Sequence, residues 1–289
     1  MSKLKLIAIP CAGASAMMYF DWKNKLSDDI ELVAIELPGR GLRFKDSHPE
    51  TLDELTDDLL EYIEPAISGY DYAFLGFCFG ATVIYDITKK LRMKGYPEPR
   101  YLFVGSSAAP GVHIKSEKLF ELSNFRIVFA LLNMFSFNLF KASDEELMMV
   151  KSFIAMINPQ ILQEINEMSL LDMIIGFTFK KSWQSKSCQA VLNIVKADGR
   201  LMYRYNATGK EVIYACPVIA IHGKSDNLIS HDEMAGWKNN AEGYFELIDV
   251  EGGHMMVFDN PSEVIDIINT YTKENFYAFE EKMDQRECS

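Results

Sequence analysis

Phe74-Leu75-Gly76-Phe77-Cys78-Phe79-Gly80-Ala81 is the stretch whose reading decides the fold. It joins a short apolar run, Tyr72-Ala73-Phe74-Leu75, to a segment, Thr82 to Leu91, that reads as a helix. Between them Gly76-Phe77-Cys78-Phe79-Gly80 fits Gly-x-nucleophile-x-Gly, a pattern whose meaning depends on that strand-to-helix setting. So sharp a turn strains the backbone of its central residue, and glycines two residues either side let strand and helix pass closely. Cys78 is therefore the candidate nucleophile. The backbone N–H of Phe79 opens the helix, where the dipole favours a developing negative charge and also stabilises a thiolate. A free cysteine is most often a small buried hydrophobe. Cys11, Cys188, Cys216 and Cys288 lack the setting of Cys78 and carry no assigned chemistry.

Outward from the elbow, Lys5-Leu6-Ile7-Ala8-Ile9, Leu32-Val33-Ala34-Ile35, Tyr101-Leu102-Phe103-Val104 and Val218-Ile219-Ala220-Ile221 are further short apolar runs. Continuous runs of this length suit strands buried on both faces of a parallel sheet. Helical patterns lie between them. Thr51-Leu52-Asp53-Glu54 reads as a capping box, with Leu55, Leu59, Tyr62 and Ile63 on one face behind it. Asn260-Pro261 starts another helix, ahead of Val264, Ile265, Ile267 and Ile268. The alternation predicts one α/β domain over residues 1–289, with a mostly parallel, doubly wound sheet. Residues 111–210 break the rhythm. They read as several helices rich in Met and Phe, with twelve Lys and Arg against nine Asp and Glu. We expect a helical lid inserted between two core strands; the competing reading is a plain helical subdomain with its own core.

A nucleophile needs a base, and the base an orienting carboxylate. His254 sits in Glu251-Gly252-Gly253-His254-Met255, a glycine-rich loop after the apolar stretch Phe245-Glu246-Leu247-Ile248 and before the final helix. Asp226 lies in His222-Gly223-Lys224-Ser225-Asp226-Asn227, leaving the strand at Val218. His222 is expected to pack at the end of that strand, and His231 to lie on the first turn of a helix. The order Cys78, Asp226, His254 is the α/β-hydrolase order of nucleophile, acid and histidine. The second oxyanion-hole N–H should come from the loop after the first strand, Pro10-Cys11-Ala12-Gly13, with Ala12 as donor beside Phe79.

Composition narrows the function classes. A net charge of −12 argues against nucleic acid as a partner, because phosphate binding needs clustered Lys and Arg. Five cysteines without close pairs read as reduced thiols in a cytoplasmic, reducing compartment, and none of the spacings suits a metal. Lys3 and Lys5 precede an apolar stretch, but the run Leu6–Pro10 is too short for a signal peptide. No stretch is long and apolar enough to span a membrane. Hydrophobic residues make up 48% of the chain, enough for a large core.

The quoted segments resemble the type II thioesterases associated with nonribosomal peptide and polyketide synthesis. The resemblance rests on Ile9-Pro10-Cys11-Ala12-Gly13-Ala14-Ser15 with Trp22, Leu37-Pro38-Gly39-Arg40-Gly41-Leu42-Arg43, the elbow Phe74 to Ala81, His222-Gly223-Lys224-Ser225-Asp226 and Gly252-Gly253-His254-Met255-Met256. Val195-Lys196-Ala197-Asp198-Gly199-Arg200 matches more weakly. The resemblance implies cleavage of acyl or aminoacyl groups from the phosphopantetheine arm of acyl or peptidyl carrier proteins. It implies the triad Cys78, Asp226 and His254, with no metal and no bound cofactor. Family members usually carry Ser at the nucleophile and His before it, where this chain has Cys78 and Phe77. A serine would convert the thioester to an oxygen ester, a downhill step. A cysteine exchanges one thioester for another, so the acyl group stays activated for an amine or a second thiol. Transfer to an acceptor is thus the alternative to hydrolysis, and a binding module that keeps only the fold is a third reading. Lys180, Lys181 and Lys186 near Trp183 are candidates for docking an acidic carrier protein, against the plainer reading of a solvated face.

Overall fold

A computed structural model describes residues 3–111, 186–205 and 212–273. Six strands form one sheet: β1 (Leu4–Ile9), β2 (Ile30–Ala34), β3 (Tyr72–Phe77), β4 (Leu102–Gly105), β5 (Val218–Gly223) and β6 (Phe245–Val250). Their order is β2-β1-β3-β4-β5-β6, and every pairing is parallel. All residues of β3, β4 and β5 are buried, as their unbroken apolar runs require, whereas the edge strands β2 and β6 are half-exposed. Successive side chains serve opposite faces. Ile7, Phe74, Leu102 and Val218 join one core layer, and Leu6, Ala73, Phe103 and Ile219 the other.

The first layer is roofed by α1 (Leu52–Ile67) and α2 (Phe79–Met93), the second by a 3₁₀ segment (Ala16–Asn24) and the helix Pro261–Lys273. Thr51 caps α1 by accepting from the Glu54 N–H at 3.1 Å. The Glu54 carboxylate, however, takes the N–H of Glu50 at 2.8 Å, so the expected reciprocal box is displaced by one residue. Leu55, Leu59 and Ile63 face the core as expected. Tyr62 does not: it is half-exposed under the guanidinium of Arg43, 4.8 Å from its ring centre.

Of the stretch 111–210, most lies outside the described residues, including Lys180, Lys181 and Trp183. Its end forms α3 (Lys186–Arg204), which contributes Leu201 to one core layer and Ile194 to the other. Next come α4 (His231–Ala235), α5 (Met256–Asp259) and α6 (Pro261–Lys273). Among the described residues no helix is long and apolar enough to cross a membrane. From β1 the chain moves out to β2, then returns past β1 to β3 and runs on to β6. That reversal makes the carboxyl ends of β1 and β3 a topological switch point, where open α/β sheets hold their ligands.

Candidate active site

Cys78 stands at this switch point, between β3 and α2, with φ 52° and ψ −118°. Backbone in this region costs about 1–3 kcal/mol and persists only where its surroundings enforce it. Here the Cys78 N–H donates to the Gly105 carbonyl at 2.9 Å, and its carbonyl accepts from Ala81 at 3.1 Å. A Cβ at Gly76 would lie 2.5 Å from Ile84 Cδ1 and 2.6 Å from the Gly80 carbonyl carbon, so strand and helix touch backbone to backbone. At Gly80 it would meet the Ile9 carbonyl oxygen at 2.5 Å, which packs the start of α2 against the end of β1. Gly80→Ala is expected to lower the urea unfolding free energy by about 1–3 kcal/mol, because the added methyl meets backbone that cannot swing aside.

His254 and Asp226 meet above β5 and β6. His254 Nδ1 lies 2.9 Å from Asp226 Oδ2 and 3.2 Å from Oδ1, and the Asp226 side chain has no solvent exposure. Asp226 also accepts the N–H groups of Leu228 and Ile229 at 2.8 and 3.1 Å. Burial pushes the Asp226 carboxyl pKa up, but His254 and these two amides outweigh it and hold the pKa below its ordinary value. Burial alone would lower the pKa of His254. The charge and hydrogen bond of Cys78, with those of Asp226, raise it instead. The imidazole thus meets Asp226 through Nδ1, and Cys78 is near enough for its charge to raise the His254 pKa.

The supports of the histidine were not legible in the sequence. Ser106, just past β4, adopts φ 47° and its Oγ donates to the His254 carbonyl at 2.6 Å. It belongs to a run of small residues, Gly105-Ser106-Ser107-Ala108-Ala109, that follows no recognisable motif. The Gly252 carbonyl accepts from Ser225 at 2.9 Å, tying the acid loop to the histidine loop. A Cβ at Gly223 would meet the Gly253 carbonyl oxygen at 2.3 Å, so the end of β5 lies directly against that loop. His222 packs at the end of β5 as expected, with Nδ1 2.9 Å from Asp249 and Nε2 3.2 Å from the Ile229 carbonyl, and His231 opens α4. Among the described residues no group of three His, Cys, Asp or Glu side chains could hold a metal ion.

Ala12 lies in the loop leaving β1, and Phe79 opens α2 directly after Cys78. The first turn of a helix leaves its N–H groups without partners in the ladder, so the Phe79 amide suits an anion. The Thioesterase domain family model matches residues 4–272. The chain belongs to that family. The gramicidin S biosynthesis protein GrsT of Aneurinibacillus migulanus is 24% identical over 268 residues, 92% of this chain and 88% of the relative. The medium-chain S-acyl fatty acid synthase thioesterase of Homo sapiens is 25% identical over 263 residues, 90% and 83% of the two chains. Among solved structures, ClbQ from the colibactin nonribosomal peptide and polyketide pathway superposes with a TM-score of 0.73 at 21% identity. The match covers 94% of this chain and 98% of ClbQ. At that identity it speaks for the α/β fold, and the thioesterase family model speaks for the kind of reaction.

Proposed function

We propose that this thioesterase-family chain releases acyl or aminoacyl groups from the phosphopantetheine thioester of carrier proteins through an acyl-Cys78 intermediate. The observation that carries the reading is the line Cys78, His254, Asp226, with His254 Nδ1 2.9 Å from a fully buried carboxylate and the cysteine on a strained elbow. His254 accepts the Cys78 proton through Nε2, and Asp226 fixes the tautomer by accepting from Nδ1. The sulfur attacks the thioester carbonyl, whose oxygen takes negative charge opposite the N–H groups of Ala12 and Phe79. Collapse expels the phosphopantetheine thiolate, which recovers the proton from His254. Water, deprotonated by His254, then attacks the acyl-Cys78 carbonyl, and the acid leaves with Cys78 regenerated. No step calls for a metal or a redox cofactor. The thiol must remain reduced for this chemistry, which fits a cytoplasmic setting.

Two relatives support the substrate class: one acts in gramicidin S biosynthesis, and another is a thioesterase of fatty acid synthase. The partner is accordingly an acyl or peptidyl carrier protein. The cysteine itself favours a second reading, transfer of the acyl group from Cys78 to an amine or a second carrier protein. Intact-mass spectrometry of the enzyme mixed with acylated carrier protein separates the two. Hydrolysis predicts free acid and no lasting adduct. A Cys78 adduct that discharges only when an acceptor is added replaces hydrolysis by transfer. An unchanged carrier protein with no adduct refutes both.

A further inference from the structure

The loop that carries Ala12 is held by a charge pair that the chemistry above does not use. Asp198, on α3, is 2% exposed and accepts the Gly13 N–H at 2.7 Å, across 185 positions of chain. Arg40, also 2% exposed, forks onto it: one guanidinium nitrogen lies 2.6 Å from Asp198 Oδ2 and the other 2.6 Å from Oδ1. The same guanidinium donates to the Ala14 carbonyl at 3.3 Å and the Pro38 carbonyl at 3.4 Å. The loop is itself a turn closed by the Ala14 N–H on the Cys11 carbonyl at 3.1 Å, with Gly13 at φ 78° in its third position. Glycine at positive φ there is the mark of a type II turn.

These contacts fix the direction of one amide. A trans peptide points its C=O and N–H in opposite directions, and the described residues include no cis bond. With the Cys11 carbonyl turned onto Ala14, the Ala12 N–H must point the other way, out of the turn. Asp198 holds the central peptide by the Gly13 N–H, and Arg40 holds the far side by the Ala14 carbonyl. A buried ion pair is weak evidence for stability, since well-packed apolar residues in its place often fold as well or better. What the pair visibly does is hold the loop, through the Gly13 N–H and the Ala14 carbonyl. We propose that Arg40 and Asp198 are positioning residues that aim the Ala12 N–H at the developing oxyanion, so that turnover depends on α3 being docked. The proposal rests on the thioesterase reading.

The test compares two reactions of Cys78. Turnover of an octanoyl N-acetylcysteamine thioester develops an oxyanion; alkylation by iodoacetamide uses the same thiol and histidine but develops none. The double variant Arg40→Met/Asp198→Leu removes both charges together and leaves no unpaired ion. We expect it to stay folded, to alkylate within about twofold of the parent rate, and to lose kcat by about 10²–10³-fold with little change in KM, the signature of one lost oxyanion donor. A folded double variant with parental kcat overturns the proposal. So does an alkylation rate that falls in step with kcat, which places the damage at the Cys78–His254 pair. If the double variant does not fold, Asp198→Asn decides. It keeps the volume and one good acceptor but cannot hold Gly13 and both Arg40 nitrogens, and unchanged kcat again overturns the proposal. A parent protein that turns over neither this thioester nor acylated carrier protein defeats the thioesterase reading first, and this inference with it.

Discussion

Cys78→Ala is expected to lose turnover of acylated carrier protein by on the order of 10⁴-fold or more while unfolding at nearly the parental temperature. The size follows from the role. On the proposed mechanism, removing the sulfur removes the acyl-enzyme, and only binding and the oxyanion donors would remain to accelerate attack by water. The small effect on stability follows from the surroundings. The turn is enforced by the Cys78 N–H on Gly105 and by the close approaches at Gly76 and Gly80, none of which involves the cysteine side chain. Alanine inherits the same backbone strain at φ 52°, so the change there is nearly neutral. Calorimetry alongside a free-acid assay checks both halves, and a folded Cys78→Ala protein with substantial activity would remove Cys78 from the mechanism.

Asp226→Asn should lower kcat by about 10²–10⁴-fold with the fold intact. An amide can donate to Nδ1, which favours the tautomer with its proton on Nε2, facing the thiol it should deprotonate. The substitution also removes the carboxylate that helps raise the His254 pKa, so that pKa falls. The signs for stability are opposite at the two groups. A depressed Asp226 stabilises the fold above its ordinary pKa near 3.8, and the effect fades as pH falls through the lower folded value. A raised His254 stabilises the fold below its ordinary pKa near 6.5, and the effect fades as pH rises through the higher folded value. Urea titrations of the parent and Asp226→Asn should therefore differ most between these two pH values and converge on the alkaline side. A gap that widens toward alkaline pH would contradict this assignment.

Much of the candidate site was legible because its pattern is written locally. The elbow places two glycines around Cys78, and Asp226 and His254 each follow an apolar stretch that reads as a strand. The parallel sheet was legible for a related reason: strands buried on both faces carry no alternation. Contacts between distant segments were not legible. Nothing in Gly105-Ser106 announces a bond to the carbonyl of His254, and nothing in Arg40 or Asp198 alone says that the two meet. Tyr62 was misread because helical spacing marks a face without telling whether an arginine lies over it. Ser230 and Glu233 form the full reciprocal cap that Thr51 and Glu54 do not, although both pairs show the same spacing.

The end of β4 supplies no reacting group, yet it touches both of the groups that must work together. The Gly105 carbonyl accepts from the N–H of Cys78, and the next residue, Ser106, donates its hydroxyl to the carbonyl of His254. Two adjacent residues therefore tie the main chains of Cys78 and His254 to the same strand end. A designer moving this arrangement onto another parallel sheet would have to carry over the fourth strand along with the three that lead to Cys78, Asp226 and His254.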